Sequence, residues 1–466
     1  MAQAILEEAP TLFINAKLID GNGGEPIEDG AVQVEGNRIT HVGRTADWGE
    51  NPNGNNRVLD LKGKALMPGL TEGHFHISFW GVRELPDLDL KLPAELSTIY
   101  AVKNAELALR CGYTSAASAG ALHRVDVTIR DAIEEGIIVG PRLAASGRDI
   151  CATSGMLDWN PSFWRLGMEG LAIFADGVDE VRKAVRQNIK EGCDVVKMYV
   201  TGEGLLRGRP GIPPEETMYS LEEIQAAVRE AHTRNRQIAA HVRGDDGVKL
   251  CVEAGIDVIE HATYADDEAI EMIAERRDDI FVVPGLGYHW GILQKGRACG
   301  ISQEMIDASD YQDEWERGCQ AMHKMREAGV RIIPGGDYGF IWCPHGEYAK
   351  DIELFVTDMG FSPMEAIVAT TKHGSQLMRM EDETGTVEEG KFADLLVVDG
   401  DPLENIAILQ DRSRLALVMK DGNVMVNTLG LPQELQPLPD FTMDIEVIQR
   451  QKAMADPMPT AAEVQH

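Results

Sequence analysis

The sequence predicts an α/β fold: a closed (β/α)8 TIM-type barrel carrying a small β-sandwich domain built from both chain ends. Three observations predict it. Short alternating apolar runs with no helix between them fill residues 1–67 and recur over 386–430. The middle, 68–385, alternates eight strand-like runs with helix-like ones. The length of 466 residues exceeds what one simple core holds comfortably, which favours two domains.

At the start of the chain, apolar alternation over 12–19, 31–34 and 38–42 is punctuated by Gly, Asn and Asp, which are strand and turn signals. The barrel strands are expected at 67–73, 113–118, 141–146, 194–199, 237–241, 257–260, 280–284 and 330–334. Between them, Ser220 followed by Glu223 forms a capping box ahead of a helical apolar stripe, Leu221, Ile224, Ala227, Val228 and Ala231. Ser362 and Glu365 repeat the device, with Pro363 at the first helical position, and a further helix is expected over 247–254. An open doubly wound sheet satisfies the alternation equally well, so alternation alone leaves both architectures open. Near the far end, 393–399 and 415–426 read as strands, the second pair turning at Lys420-Asp-Gly-Asn423. Residues 431–466, rich in Pro, Gln and Met, read as a C-terminal arm or tail.

Lys and Arg number 44 against 76 Asp and Glu, a net charge of −32. That surplus argues against nucleic acid or an anionic membrane as partner and leaves a small-molecule substrate. The seven cysteines are scattered and never spaced as C-x-x-C, so neither a disulfide framework nor a thiolate zinc site is expected and a reducing cytoplasm is. The first residues are acidic, without a basic start and apolar run, and no stretch approaches the roughly 20 apolar residues of a membrane span.

The chemistry-bearing residues fall at strand ends. His74 and His76 stand two apart at the end of the first strand, and a period of two points both imidazoles to one side. Lys197 closes the fourth strand after an apolar run that buries its stem. His241 ends the fifth strand, His261 follows the sixth, and Asp337 lies just past the eighth. Each has a bland reading: H-x-H pairs are common, most strand-end lysines reach solvent, and single histidines often sit satisfied in cores. Six such residues at the C-terminal ends of strands one, four, five, six and eight, all opening on one barrel mouth, are better explained as a metal centre. Imidazole and carboxylate donors suit zinc and also admit manganese, iron or cobalt.

Beyond those residues the chain carries Pro68-Gly-Leu-Thr-Glu-Gly-His-Phe-His76, Ala240-His-Val-Arg-Gly244 with Ile259-Glu-His-Ala262, and Thr384-Gly-Thr-Val-Glu-Glu-Gly-Lys-Phe-Ala-Asp-Leu-Leu-Val-Val-Asp399. With these motifs the sequence resembles the amidohydrolase superfamily from about residue 12 to 426, in the branch of imidazolonepropionase-like proteins and Xaa-Pro or N-acyl-amino-acid metallopeptidases. Within it, the sequence is similar to bacterial hydrolases of phenylurea and thiocarbamate herbicides. It departs from members of that group with Asn at the first histidine, since this chain has His74. The resemblance implies one or two divalent metal ions. His74, His76 and Asp337 would hold one, His241 and His261 the other, and a carbamylated Lys197 would bridge them. It further implies metal-activated water attacking an amide, urea or thiocarbamate, with Asp337 as the proton carrier, and an assembly of identical subunits.

Substrate contacts are expected from the loops after the strands, at Tyr199, Tyr288, His289 and His345, with Trp290 and Trp342 as further aromatic positions. Arg148 and Arg243 would either neutralise a substrate carboxylate or serve as structural ion pairs; His123, His323 and His373 receive no role. A herbicide hydrolase is the leading expectation, with an Xaa-Pro dipeptidase or N-acyl-amino-acid hydrolase second. A barrel scaffold without catalysis is the non-enzyme alternative.

Overall fold

Alternating apolar residues at the start of the chain become β1 (Thr11–Leu18), β2 (Ile27–Glu35) and β3 (Arg38–Arg44), with β4 (Arg57–Asp60) and β5 (Ala65–Pro68) lying parallel to β1. The computed structural model describes residues 9–48, 57–160, 163, 170–203 and 212–431; the expected C-terminal arm lies outside them except for Leu431.

The middle of the chain supplies β6 (Leu70–Phe75), β7 (Tyr113–Ser118), β8 (Arg142–Ala144), β9 (Asp149–Cys151), β10 (Ala172–Phe174), β11 (Val195–Tyr199), β12 (Gln237–Gly244), β13 (Val258–Tyr264), β14 (Phe281–Val283) and β15 (Arg331–Ile332). The far end adds β16 (Leu395–Val398), β17 (Leu415–Lys420) and β18 (Asn423–Asn427). Strands β1–β5 and β16–β18 join one sheet, ordered β18-β17-β16-β5-β1-β2-β3 with β4 on β1. Main-chain bonds therefore stitch the two ends together, with Leu396 on β16 opposite Met67 on β5. Phe13, Leu18, Val32 and Leu66 share an apolar cluster with Leu395, Val397, Leu417 and Met419, so neither end buries its apolar face without the other. The hairpin β17–β18 turns at Asp421 and Gly422, with φ of 51° and 75°. Left-handed geometry at both central residues matches strand twist, and Asp-Gly adopts it at low cost.

Each of the eight expected barrel runs overlaps one barrel strand: β6, β7, β8, β11, β12, β13, β14 and β15. They form two parallel sheets, β6-β7-β8 and β10-β9-β11-β12-β13-β14-β15. Both seams are closed. Ala145 O accepts from Asp194 N and Val195 N at 2.7 and 3.1 Å, and Gly73 N donates to Pro334 O at 2.9 Å. Closure excludes the open doubly wound sheet.

Two details differ from the sequence reading. The run 67–73 is divided between the two domains, because Pro68 ends β5 and the barrel strand begins at Leu70. Gly69 makes the crossing; a Cβ there would stand 2.3 Å from Thr114 Oγ1. The third strand also bends after Ala144 and resumes as β9, which joins β10 and the edge of β11. Asp126 holds that bend, accepting from Ser146 N, Gly147 N and Ser118 Oγ at 2.8, 2.9 and 2.7 Å.

Inside the barrel, Ala117, Val195, Ala239, Val258, Phe281, Val283 and Ile333 pack with Leu377 into an apolar floor. The larger cluster lies between strands and helices. Both capping boxes form, Ser220 with Glu223 at the helix Leu221–His232 and Ser362 with Glu365 at Pro363–Val368. All seven cysteines are buried thiols outside any disulfide. Among the described residues no helix is long and apolar enough to cross a membrane.

Candidate metal centre

The apolar floor sets the direction of the residues above it. Side chains two apart on a strand share a face, so Val195 in the floor places Lys197 above it, Ala239 places His241, and Val258 places Glu260. His261, one residue later, belongs by that alternation to the outer face. It reaches the inside because its backbone adopts φ of 78°, followed by 50° at Ala262. Gly285 makes room for it: a Cβ there would lie 2.6 Å from His261 Nδ1. Asp337 also has a left-handed φ, 61°, after Pro334-Gly-Gly336. Non-glycine residues in this region cluster at functional sites, where surrounding structure holds the strain.

All six expected ligands are buried at the same mouth. His74 Nε2 and His76 Nε2 are 3.2 Å apart, and Asp337 Oδ1 lies 3.6 Å from the first and 3.1 Å from the second. Donors bound tetrahedrally to zinc through bonds near 2.0–2.1 Å are separated by about 3.3 Å. The spacing therefore fits one cation. A second group, His74, Glu260 and His261, has its donor atoms within 4.8 Å of one another. The His241 ring lies 4.5 Å from that of His261 between centroids, and Lys197 Nζ is ion-paired to Glu260.

Hydrogen bonds aim the rings. His76 Nδ1–H donates to Gly120 O at 3.0 Å and His261 Nδ1–H to Pro284 O at 3.3 Å, which turns each Nε2 inward. His241 Nε2 is buried with no hydrogen-bond partner among the described residues, an arrangement that a cation ligand explains, while His74 Nδ1, also without a hydrogen bond, faces Glu260 Oε1 at 3.8 Å. Burial holds His74, His241 and His261 well below the usual histidine range, hence neutral and able to ligate. For Asp337, burial acts upward, but the hydrogen bond from His76 and the nearby positive charge of Arg243 lower it and keep the carboxyl ionised. Burial lowers Lys197 to about 8.

Around this centre the expected substrate residues take different places. Tyr199 stacks on His241 at 4.2 Å and 12°. Tyr288 meets the rings of Phe340 and Trp342 edge-on at 4.9 and 5.4 Å, forming an aromatic wall. His289 Nε2 lies 3.1 Å from Glu314 Oε2. His345 is bound on both ring nitrogens, to Tyr348 Oη and Phe79 O at 3.1 Å each, so it offers a substrate no free polar atom. Trp290 lies beneath the ammonium groups of Lys295 and Lys350. Arg148 pairs with Glu191 at 2.7 Å. Arg243 is fully buried and gives Nη1 to Glu314 Oε1 at 2.6 Å and Nη2 to Glu203 Oε1 at 2.8 Å, so two carboxylates already neutralise it.

Sequence reasoning missed four acids. Glu260 was legible, since alternation from Val258 aims it inward more directly than His261. Glu72 accepts from His74 N and Gly336 N at 3.2 Å each, tying the first strand to the loop that carries Asp337. Glu314 lies on the helix Tyr311–Glu327 and reaches Arg243 across 71 residues of sequence. Asp149 stands beside Lys197 only because of the bend before β9, and burial pushes its carboxyl up to about 7.

A closed barrel with histidines, a lysine and an aspartate converging at its C-terminal mouth defines a metal-dependent hydrolase. The chain belongs to the amidohydrolase family, whose sequence model matches residues 65–425, and such an enzyme acts on C–N bonds. It is 29% identical to the ochratoxinase of Aspergillus niger over 90% of this chain and 88% of the relative. The crystal structure of A. niger ochratoxinase has a TM-score of 0.77 and 28% identity, covering 90% of this chain and 96% of that one. A prolidase crystallised with N-methylphosphonate-L-proline has a TM-score of 0.79 and 27% identity, covering 90% and 100%. Molinate hydrolase has 22% identity and a TM-score of 0.72, covering 93% and 100%. That likeness is one of fold.

Proposed function

We propose that this chain hydrolyses the C–N bond of a small amide of the N-acyl amino acid or Xaa-Pro dipeptide class. The observation that carries the reaction is the convergence at one buried mouth of histidine donors with an ionised Asp337, His74 Nε2, His76 Nε2 and Asp337 Oδ1 lying 3.1–3.6 Å apart. In this reading His74, His76 and Asp337 hold one divalent cation, zinc by donor type. His241 and His261 hold a second, with Lys197 between the two positions as a carbamate. Bound metal supplies Lewis acidity to the attacking water and the scissile carbonyl. Asp337 takes the proton from water and returns it to the leaving nitrogen. Glu72 keeps Asp337 in place through Gly336 N, while Tyr199, Tyr288 and His289 line the approach. The substrate class rests on the 27–29% identity to a prolidase and an ochratoxinase along nearly the whole chain.

The wall of Tyr288, Phe340 and Trp342 favours a second reading, an aryl urea or a thiocarbamate with a flat apolar group against those rings. Elemental analysis and a four-substrate panel separate the readings: an N-acyl amino acid, an Xaa-Pro dipeptide, a dimethyl phenylurea and a thiocarbamate, each with wild type and Asp337→Asn. Turnover of the first two, lost in the variant, is the expected result. Turnover confined to the last two moves the assignment to the herbicide group, and a chain with neither metal nor turnover is a scaffold.

A further inference from the structure

We propose that Asp149 is a supporting carboxylate of the cation centre, stabilising a divalent metal ion by its charge from the side of Lys197 and His76. This rests on the metal-centre reading above and adds a residue to it. The placement follows from register. Ile150 on β9 is opposite Met198 on β11 in a parallel pair, which sets Asp149 beside Lys197 and on the same, inward face. The Asp126-held bend before β9 makes that register possible.

Gly120 is the other wall. Its α-carbon lies against the Asp149 carboxylate, so that a Cβ would stand 2.5 and 2.6 Å from the two oxygens. Its carbonyl accepts from His76 Nδ1. One glycine thus packs against Asp149 and aims His76.

Asp149 is 1% exposed, and neither oxygen has a hydrogen-bond partner among the described residues. A buried carboxylate left bare is costly and persists where something satisfies it. Two other buried carboxylates are saturated by contrast: Asp126 accepts from two main-chain amides and a hydroxyl, and Glu314 from Arg243 and Thr263. Lys197 does not fill the gap, because its ammonium is given to Glu260.

The test uses zinc with the metal-stripped full chain, read by titration calorimetry and by elemental analysis after dialysis, for wild type, Asp149→Asn and Asp149→Ala. Zinc affinity is expected to fall at least about tenfold in both variants, the range in which groups supporting a metal site act. The thermal midpoint of the metal-free chain is expected to stay level or rise, because a bare buried charge is removed. Wild-type zinc affinity in both variants overturns the proposal. So does failure of both to fold without metal, since that makes the carboxylate structural. A wild-type chain that takes up no zinc overturns the metal reading itself, a separate failure visible before any variant is made.

Discussion

Asp337 and His261 project inward from backbone with φ of 61° and 78°, so each is held by its surroundings rather than by its own preference. Asp337→Asn keeps the shape and removes the proton acceptor. The expected outcome is a kcat loss of roughly a hundred- to ten-thousand-fold, the usual contribution of a general base, with a thermal midpoint close to wild type. A variant retaining more than a tenth of kcat would show that another group moves the proton. Gly285→Ala tests the support under His261. The left-handed φ of 65° costs an alanine about 1–2 kcal/mol, and its methyl would collide with the imidazole 2.6 Å away. Lower stability together with weaker zinc binding is expected; lost stability with unchanged zinc affinity would detach Gly285 from the site. The six proposed ligands were legible because histidines, a lysine and an aspartate at strand ends stand out against apolar runs. Glu72 and Asp149 were not, because their positions depend on a cross-barrel hydrogen bond and a bend that no local pattern records.

Among the elements, those written in local chemistry were readable from sequence. The capping boxes, the Asp421-Gly422 hairpin and the eight barrel strands each need only a few neighbouring residues, and all are present. The division between β5 and β6 and the strand pair β9–β10 depend on which partner strand lies alongside. Pro68-Gly69 marks a break in the apolar run but does not reveal which strand lies beside each part. Because Ser220 is solvent-exposed and its hydroxyl bonds to Glu223 at the start of its own helix, loss of this capping box should be purely structural. Ser220→Ala is expected to lower stability by about 1 kcal/mol in denaturant unfolding while leaving kcat/KM at wild-type value. A changed kcat/KM would mean that the helix Leu221–His232 transmits strain to β12 and His241.

For the molecule as a whole, two opposed effects decide how stability follows pH. The net charge of −32 repels itself, and protonation of surface carboxylates on acidification relieves that repulsion and stabilises the fold. Burial acts in the opposite sense. His345 is lowered to about 3 and His373 to about 4, both by burial first, whereas an unfolded histidine titrates near 6.5. A histidine whose folded pKa is depressed contributes stability that is fully present above the unfolded pKa. It is lost as pH falls from about 6.5 toward 4 and 3, because only the unfolded chain takes up the proton. Each such group costs about 1.4 kcal/mol per pH unit in that window. In the metal-free protein the buried ligand histidines push the same way. Salt separates the effects, since it screens surface repulsion and leaves burial untouched. Burial also raises the carboxyls of Asp149 and Asp351 to about 7, and these take up protons in the folded chain over the same window, so the effect of one histidine is read by difference. In high salt, metal-free His345→Gln, whose amide can still donate to the Phe79 carbonyl, should lose less thermal midpoint than wild type between pH 7.5 and 5.5. Parallel profiles would mean that His345 is protonated in the folded state, and that the Phe79 and Tyr348 contacts do not hold it neutral.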